Sequence, residues 1–159
     1  MTSAFAEAVA RPEPRPFEVG PDGASLQDAP WRAEPQCENV VLQRLDGDGD
    51  GRLRIAAGAC RHCIGSFRTK VLLPAGRYEF AGRTTLQGVV ALAGEDNRGA
   101  GLRISGARRV GQEGSGERAL VFPFEVEEAL KEVVLVVELR AEAGEAVFPL
   151  ASLRLVRVQ

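Results

Sequence analysis

The chain has 159 residues, 45% hydrophobic and 26% charged, an ordinary balance for one globular domain with a tail. Its 20 basic and 22 acidic residues are scattered and give a net charge of −2, so no basic face for nucleic acid is implied. The longest apolar run, 133–137, is far too short to cross a bilayer.

Taken in chain order, the opening "MTSAFAEAVA" lacks a basic start and carries Glu7 where a signal peptide needs an apolar core. "RPEPRP" at 11–16 alternates proline with charge, as a stiff linker does. Residues 1–16 are therefore expected to be a Pro/charge-rich linker and 17–159 a β-domain. The chain reads as a module cut from a larger exported, periplasmic or cell-surface protein, and as cytoplasmic only if it is complete.

Short runs rich in Val, Leu, Ile, Phe and Thr follow, separated by glycine and proline. They predict strands at 39–45, 51–57, 65–73, 77–86, 88–93, 101–105, 119–126, 132–140 and 152–158. Several alternate: Leu53 and Ile55 oppose Arg52 and Arg54, and Leu102 and Ile104 oppose Arg103 and Ser105. Pro74 and Gly76 predict a tight turn that makes a hairpin-like corner of the flanking strands. The window "FEVEEALKEVV" is the best helical stretch, but it lies between a Pro-containing strand and a β-branched run, so a short turn is expected there. About nine short strands with little helix predict an antiparallel β-sandwich of jelly-roll type.

Two motifs within this framework invite chemistry. Asp46, Asp48 and Asp50, followed by Gly51 and Leu53, match the first half of a calcium loop. The twelfth loop position is Ala57, where an EF-hand needs a bidentate glutamate, and the exit alternates like a strand. A solvated hairpin is the reading adopted, with a non-EF calcium turn at the three aspartates as the alternative. "CRHC" places Cys60 and Cys63 at chelate spacing around His62, with Cys37 distant. Zinc is disfavoured because His62 adjoins Cys63 and a closed site needs four converging ligands. Redox catalysis is disfavoured for want of a helix N-terminus. A c-type haem would need a histidine where Ile64 stands. A disulfide, local or through Cys37, and buried free thiols are the ordinary outcomes. The lone histidine and the absence of a G-x-S-x-G elbow argue against hydrolase chemistry. "GQEGSGE" at 111–117 opens no helix and reads as a flexible loop.

The order of these pieces resembles the galactose-binding-domain-like jelly rolls, specifically the carbohydrate-binding modules appended to bacterial glycoside hydrolases and surface proteins. The matching residues are "FEVG" at 17–20 with Trp31, "GRLRI" at 51–55, "VLLPAGRYEFAGRTT" at 71–85, "GAGLRISG" at 99–106 and "VVLVVELRAEAGEAVFPLASLRLVRV" at 133–158. The resemblance implies a non-catalytic accessory domain whose partner is a glycan. It also implies structural calcium between the glutamate of the opening motif and an aspartate of the closing one; Glu18 is present, but Pro149 occupies the aspartate's place. Aromatic residues are few, and Trp31 in "DAPWRAEPQ" is the one placed to stack on a sugar, although a lone tryptophan there also suits the end of a core.

Alternation places Tyr78, Phe80, Leu102, Ile104, Leu135, Val137 and Leu139 in the core. It turns Arg83, Thr85, Gln87, Arg103, Ser105, Glu138 and Arg140 outward. In the resembling modules one exposed sheet face is the ligand groove, so Arg83, Arg103 and Arg140 become candidate sugar contacts beside Trp31. An ordinary wet face of cross-strand Arg–Glu pairs is the competing reading. The expected function is glycan attachment; the alternative is a structural or protein-interaction sandwich that has lost its sugar site.

Overall fold

The computed structural model describes residues 16–20, 22–47, 50–94 and 96–158. They form eight strands and one 3-10 turn: β1 (Ala24–Ser25), β2 (Arg32–Pro35), β3 (Val41–Leu45), β4 (Arg52–Ala56), β5 (Cys63–Ala91), β6 (Gly99–Ile104), β7 (Gly114–Pro149), the turn Leu150–Ser152 and β8 (Arg154–Val158). The all-β antiparallel expectation holds. The expected linker over 1–16 falls, but for Pro16, on residues outside the described ones.

The count of nine short strands is corrected by two long ones, of 29 residues in β5 and 36 in β7. Each runs through both layers and serves each in turn. Cys63 pairs with Ala141 and Pro74 with Leu130; Gly76 pairs with Val126 and Thr84 with Arg118; Thr85 and Ala91 then pair with Val147 and Ala141. Partner numbers fall as the chain advances in each stretch, which is antiparallel pairing. Hydrogen bonding therefore continues along the path β1-β8-β5-β7-β4-β3, with β2 added to β5 and β6 to β7.

The predicted corner at Pro74 and Gly76 is a bend in a continuing strand, with no chain reversal. Opposite the single residue Ala75, strand β7 bulges by three residues, Glu127 to Ala129, and this length difference turns the ribbon. That bulge is where the helical-looking window fell. Tyr78 pins the bend by donating its hydroxyl to Pro74 O at 2.7 Å, and Arg157 Nη2 donates to Ala75 O at 2.8 Å. Because the corner is hydrogen-bonded from within the domain, no loop is needed there.

Inward alternation works as expected for Tyr78, Phe80, Leu102, Leu135, Val137 and Leu139, all buried, while Ile104 is half-buried against them. Leu53, Ile55, Phe148, Leu153 and Leu155 complete the core from β4, the end of β7 and β8. On the other face of the same strands, however, Arg103, Val136 and Glu138 are buried as well. Something covers that face.

Candidate functional site

The cover is the segment that leaves β6. Arg109 lies across β6 and donates Nε to Glu138 Oε1 at 3.1 Å. Its remaining donors reach Arg98 O at 2.8 Å, Asn97 O at 2.8 Å and Gly99 O at 3.1 Å. Asn97 returns the contact by accepting the Arg109 backbone N–H on Oδ1 at 2.8 Å. Two glycines make the crossing possible. A Cβ on Gly101 would stand 2.7 Å from Arg109 Cδ, and one on Gly111 would collide with Arg98 O. Backbone bonds in both directions between Ala100 and Gln112 close the segment's far end.

Below it, Arg103 grips Glu138 with both limbs, at 2.6 and 3.1 Å, and Arg140 Nε approaches Glu138 Oε2 at 3.4 Å. The Glu138 side chain is 0% exposed, that of Arg103 6% and that of Arg109 2%. Burial pushes the Glu138 carboxyl upward, but the Arg103 hydrogen bonds and the charges of Arg109, Arg103 and Arg140 outweigh it, so the net displacement is downward. Burial is also the larger influence on Arg109, which is lowered to about 10 despite the opposing attraction of Glu138. One carboxylate thus binds guanidinium groups from β6, β7 and the covering segment, and holds all three elements in register.

Two clefts flank this covering segment. One of about 470 Å³ is polar, with Asp96, Asn97, Arg98, Arg108 and Glu113 on its walls. The other, of about 450 Å³, lies between Arg108–Gln112 and the strand residues 119–123, with Val110, Val121, Phe122 and Pro123 as its accessible apolar wall and the buried Leu102 and Leu120 beneath. Its polar groups are Arg108, Arg109 and Gln112. Arg108 is exposed and touches Asp96 at 3.6 Å, while Val110 at the crest is 87% exposed. Phe122 is half-buried and stacks on Phe124, with ring centres 6.4 Å apart. This cleft therefore offers an apolar wall beside planar hydrogen-bond donors on a segment that is already fixed.

The sequence-predicted contacts are dispersed. Trp31 is corrected as a stacking platform: it is 7% exposed, stacks on Phe80 at 6.3 Å and donates Nε1–H to Leu26 O at 3.0 Å. Its faces are used by the core. Arg103 is corrected as an outward residue, because Arg109 and its segment bury it. Arg140 shares Glu138 with Arg103, but Arg83 belongs to the other stretch of β5, beside Ala119, where it pairs with Glu117 at 3.1 Å in the open.

Asp46 turns to Arg44 at 3.3 Å and Asp50 is exposed; Asp48 lies outside the described residues. Among the described residues no group of three His, Cys, Asp or Glu is arranged to hold a metal. Glu18 is exposed, whereas Phe17 beside it packs on the core.

The residues that build the clefts were missed. Their signal was "ARRVGQ" at 107–112, a paired arginine directly after the strand and ahead of a glycine. Period-two reading assigns no direction to such a segment and therefore no role to its arginines.

No family model matches the chain, and no curated protein matches it. Among solved structures, the carbohydrate-binding module TmCBM61, determined in complex with beta-1,4-galactotriose, has TM-score 0.54 and 19% identity; the alignment covers 91% of this chain and 99% of that one. The enzymatically active domain of Bacteriophage CBA120 tailspike protein 4 has TM-score 0.47 and 10% identity, over 84% of this chain and 20% of that one. The first likeness shows that this chain shares the β-sandwich, jelly-roll fold of that structure.

Proposed function

We propose that this chain is a non-catalytic glycan-binding module, carried by a larger exported or surface protein through its proline- and charge-rich N-terminal segment. The observation that carries the reading is the cleft between Arg108–Gln112 and residues 119–123. Sugar rings present apolar C–H faces edged by hydroxyls, so a partly exposed aromatic beside planar donors suits them. Arg109 anchors the segment beforehand, which lowers the ordering cost of binding. The likeness in fold to a module solved with a galactotriose adds support. Among the described residues, the lining of this cleft includes no carboxylate, whereas glycoside hydrolysis ordinarily needs a pair of them.

The test is titration calorimetry after a glycan array that includes beta-1,4-galacto-oligosaccharides. Arg108→Ala and Gln112→Ala are each expected to weaken binding by about tenfold or somewhat less, the scale of one lost hydrogen bond, with the charged Arg108 the larger, and with Tm unchanged. Absence of binding across the array would sink the reading. It would favour the rival, a protein-interaction sandwich, which draws on the exposed Val110 and Val121 beside the cleft.

A structural calcium at Asp46, Asp48 and Asp50 is a separate proposal that rests on their alternating carboxylates. A calcium-dependent rise in Tm that Asp50→Ala abolishes supports it, and a flat titration removes it.

A further inference from the structure

At the far end of the β3–β4 hairpin, the three cysteines that lie apart in sequence meet. Cys37 follows β2, Cys60 precedes β5, and their Sγ atoms are 3.3 Å apart. The backbone holds them there. Ile64 N–H donates to Cys37 Sγ at 3.2 Å, Gln36 N–H to Ile64 O at 2.9 Å and Cys60 N–H to Ala57 O at 2.9 Å. Asn39 adopts a positive φ of 68° and Gly58 one of 59°. A Cβ on Gly58 would already stand 3.2 Å from Asn39 O, so the two loops run in close contact.

From this geometry we infer that Cys37 and Cys60 are an oxidation site, joined as a disulfide by exchange with a small-molecule disulfide such as oxidised glutathione. Small rotations of two half-buried side chains bring the sulfurs to bonding distance. One protein thiolate attacks the disulfide and expels a thiolate. The second protein thiol, on losing its proton, attacks the mixed disulfide and expels the other. Two protein thiols become one disulfide, and the reagent leaves as two thiols.

Cys63 is the competitor, and its surroundings exclude it. It is completely buried and its thiol points at Ala56 O, 3.9 Å away. Burial, reinforced by the neighbouring Cys37 and Cys60 sulfurs, pushes that thiol up to about 12; burial raises the Cys37 thiol too, so it is the complete enclosure of Cys63 that keeps a disulfide reagent from it. The sequence left a local pairing and one through Cys37 open; the fold brings the Cys37 and Cys60 sulfurs together. The product would clamp the base of the hairpin that carries the aspartate loop, closing the chain from 37 to 60.

Trypsin distinguishes the pairings, because Arg32, Arg44, Arg54, Arg61 and Arg68 place the three cysteines on separate peptides, 33–44, 55–61 and 62–68. The folded full chain, treated with oxidised glutathione and alkylated, is expected to yield 33–44 linked to 55–61. Tm should rise by roughly 5–10 °C over the reduced protein, the scale for a loop of this length. Cys63→Ala should keep both the link and the rise; Cys37→Ala and Cys60→Ala should lose both. A map showing peptide 62–68 in the link, or no link between folded thiols, overturns the assignment, as does a Tm rise that survives Cys60→Ala. If Cys60→Ala folds poorly, the wild-type map alone still decides. Glycan binding plays no part in this test.

Discussion

Two arginine–glutamate contacts, one between β5 and β7 and one between β6 and another stretch of β7, behave as different materials. Arg83 and Glu117 face each other at 3.1 Å with side chains 56% and 63% exposed. Arg103 and Glu138 meet at 2.6 Å with almost no exposure. The residue types are the same and both pairs lie diagonally across antiparallel strands. Only the second is roofed, by Arg109 and the segment it ties down. Removing water converts a pair of little energetic consequence into one whose disruption strands charges in the interior.

Truncation sharpens that contrast most. Glu138→Ala leaves Arg103 and Arg109 buried without their carboxylate and is expected to cost about 3–5 kcal/mol in urea denaturation. A loss no larger than that of a surface variant would mean the roof opens readily to water. Acid titration probes the same group. Glu138 has a folded pKa below its unfolded value, so the native state binds fewer protons. Its stabilising contribution is full above the ordinary carboxylate range and declines as pH falls below about 4.5, to be lost beneath the folded pKa. Glu138→Gln should flatten that acid limb; an unchanged slope would assign the limb to other carboxylates.

An intermediate case lies between these extremes. Arg54 holds Glu145 with two bonds, at 2.9 and 3.2 Å, with side chains 29% and 26% exposed. The Arg54 hydrogen bond outweighs partial burial and displaces the Glu145 carboxyl downward. A double-mutant cycle on this pair is expected to give about 0.5–1 kcal/mol of coupling, and one on Arg83 and Glu117 below about 0.5 kcal/mol. The order should follow exposure. A larger coupling at the open pair would break the argument that cover sets the energy.

Residue alternation made the inward face of this protein readable. It named Tyr78, Phe80, Leu135, Val137 and Leu139 as core, because a strand's two-residue period fixes which side chains share a side. It did not say what lies over the opposite side. Glu138 and Arg103 read as a wet face because nothing in a period-two pattern registers a segment folding back across it. Trp31 failed for a related reason. Its loop-like surroundings in sequence say nothing about Phe80, nearly fifty residues away, which takes up one face of the indole ring.

The sequence alone determined that this chain builds antiparallel strands with one greasy side, since that follows from side-chain direction and from the turn chemistry of glycine and proline. Tertiary structure decided the rest: that β5 and β7 run unbroken through both layers, that Arg109 roofs a carboxylate to leave a cleft beside Phe122, and that Cys37 faces Cys60. Each depends on which distant segments touch, and contact over such separations is set by the packing of the whole domain, which no local period encodes.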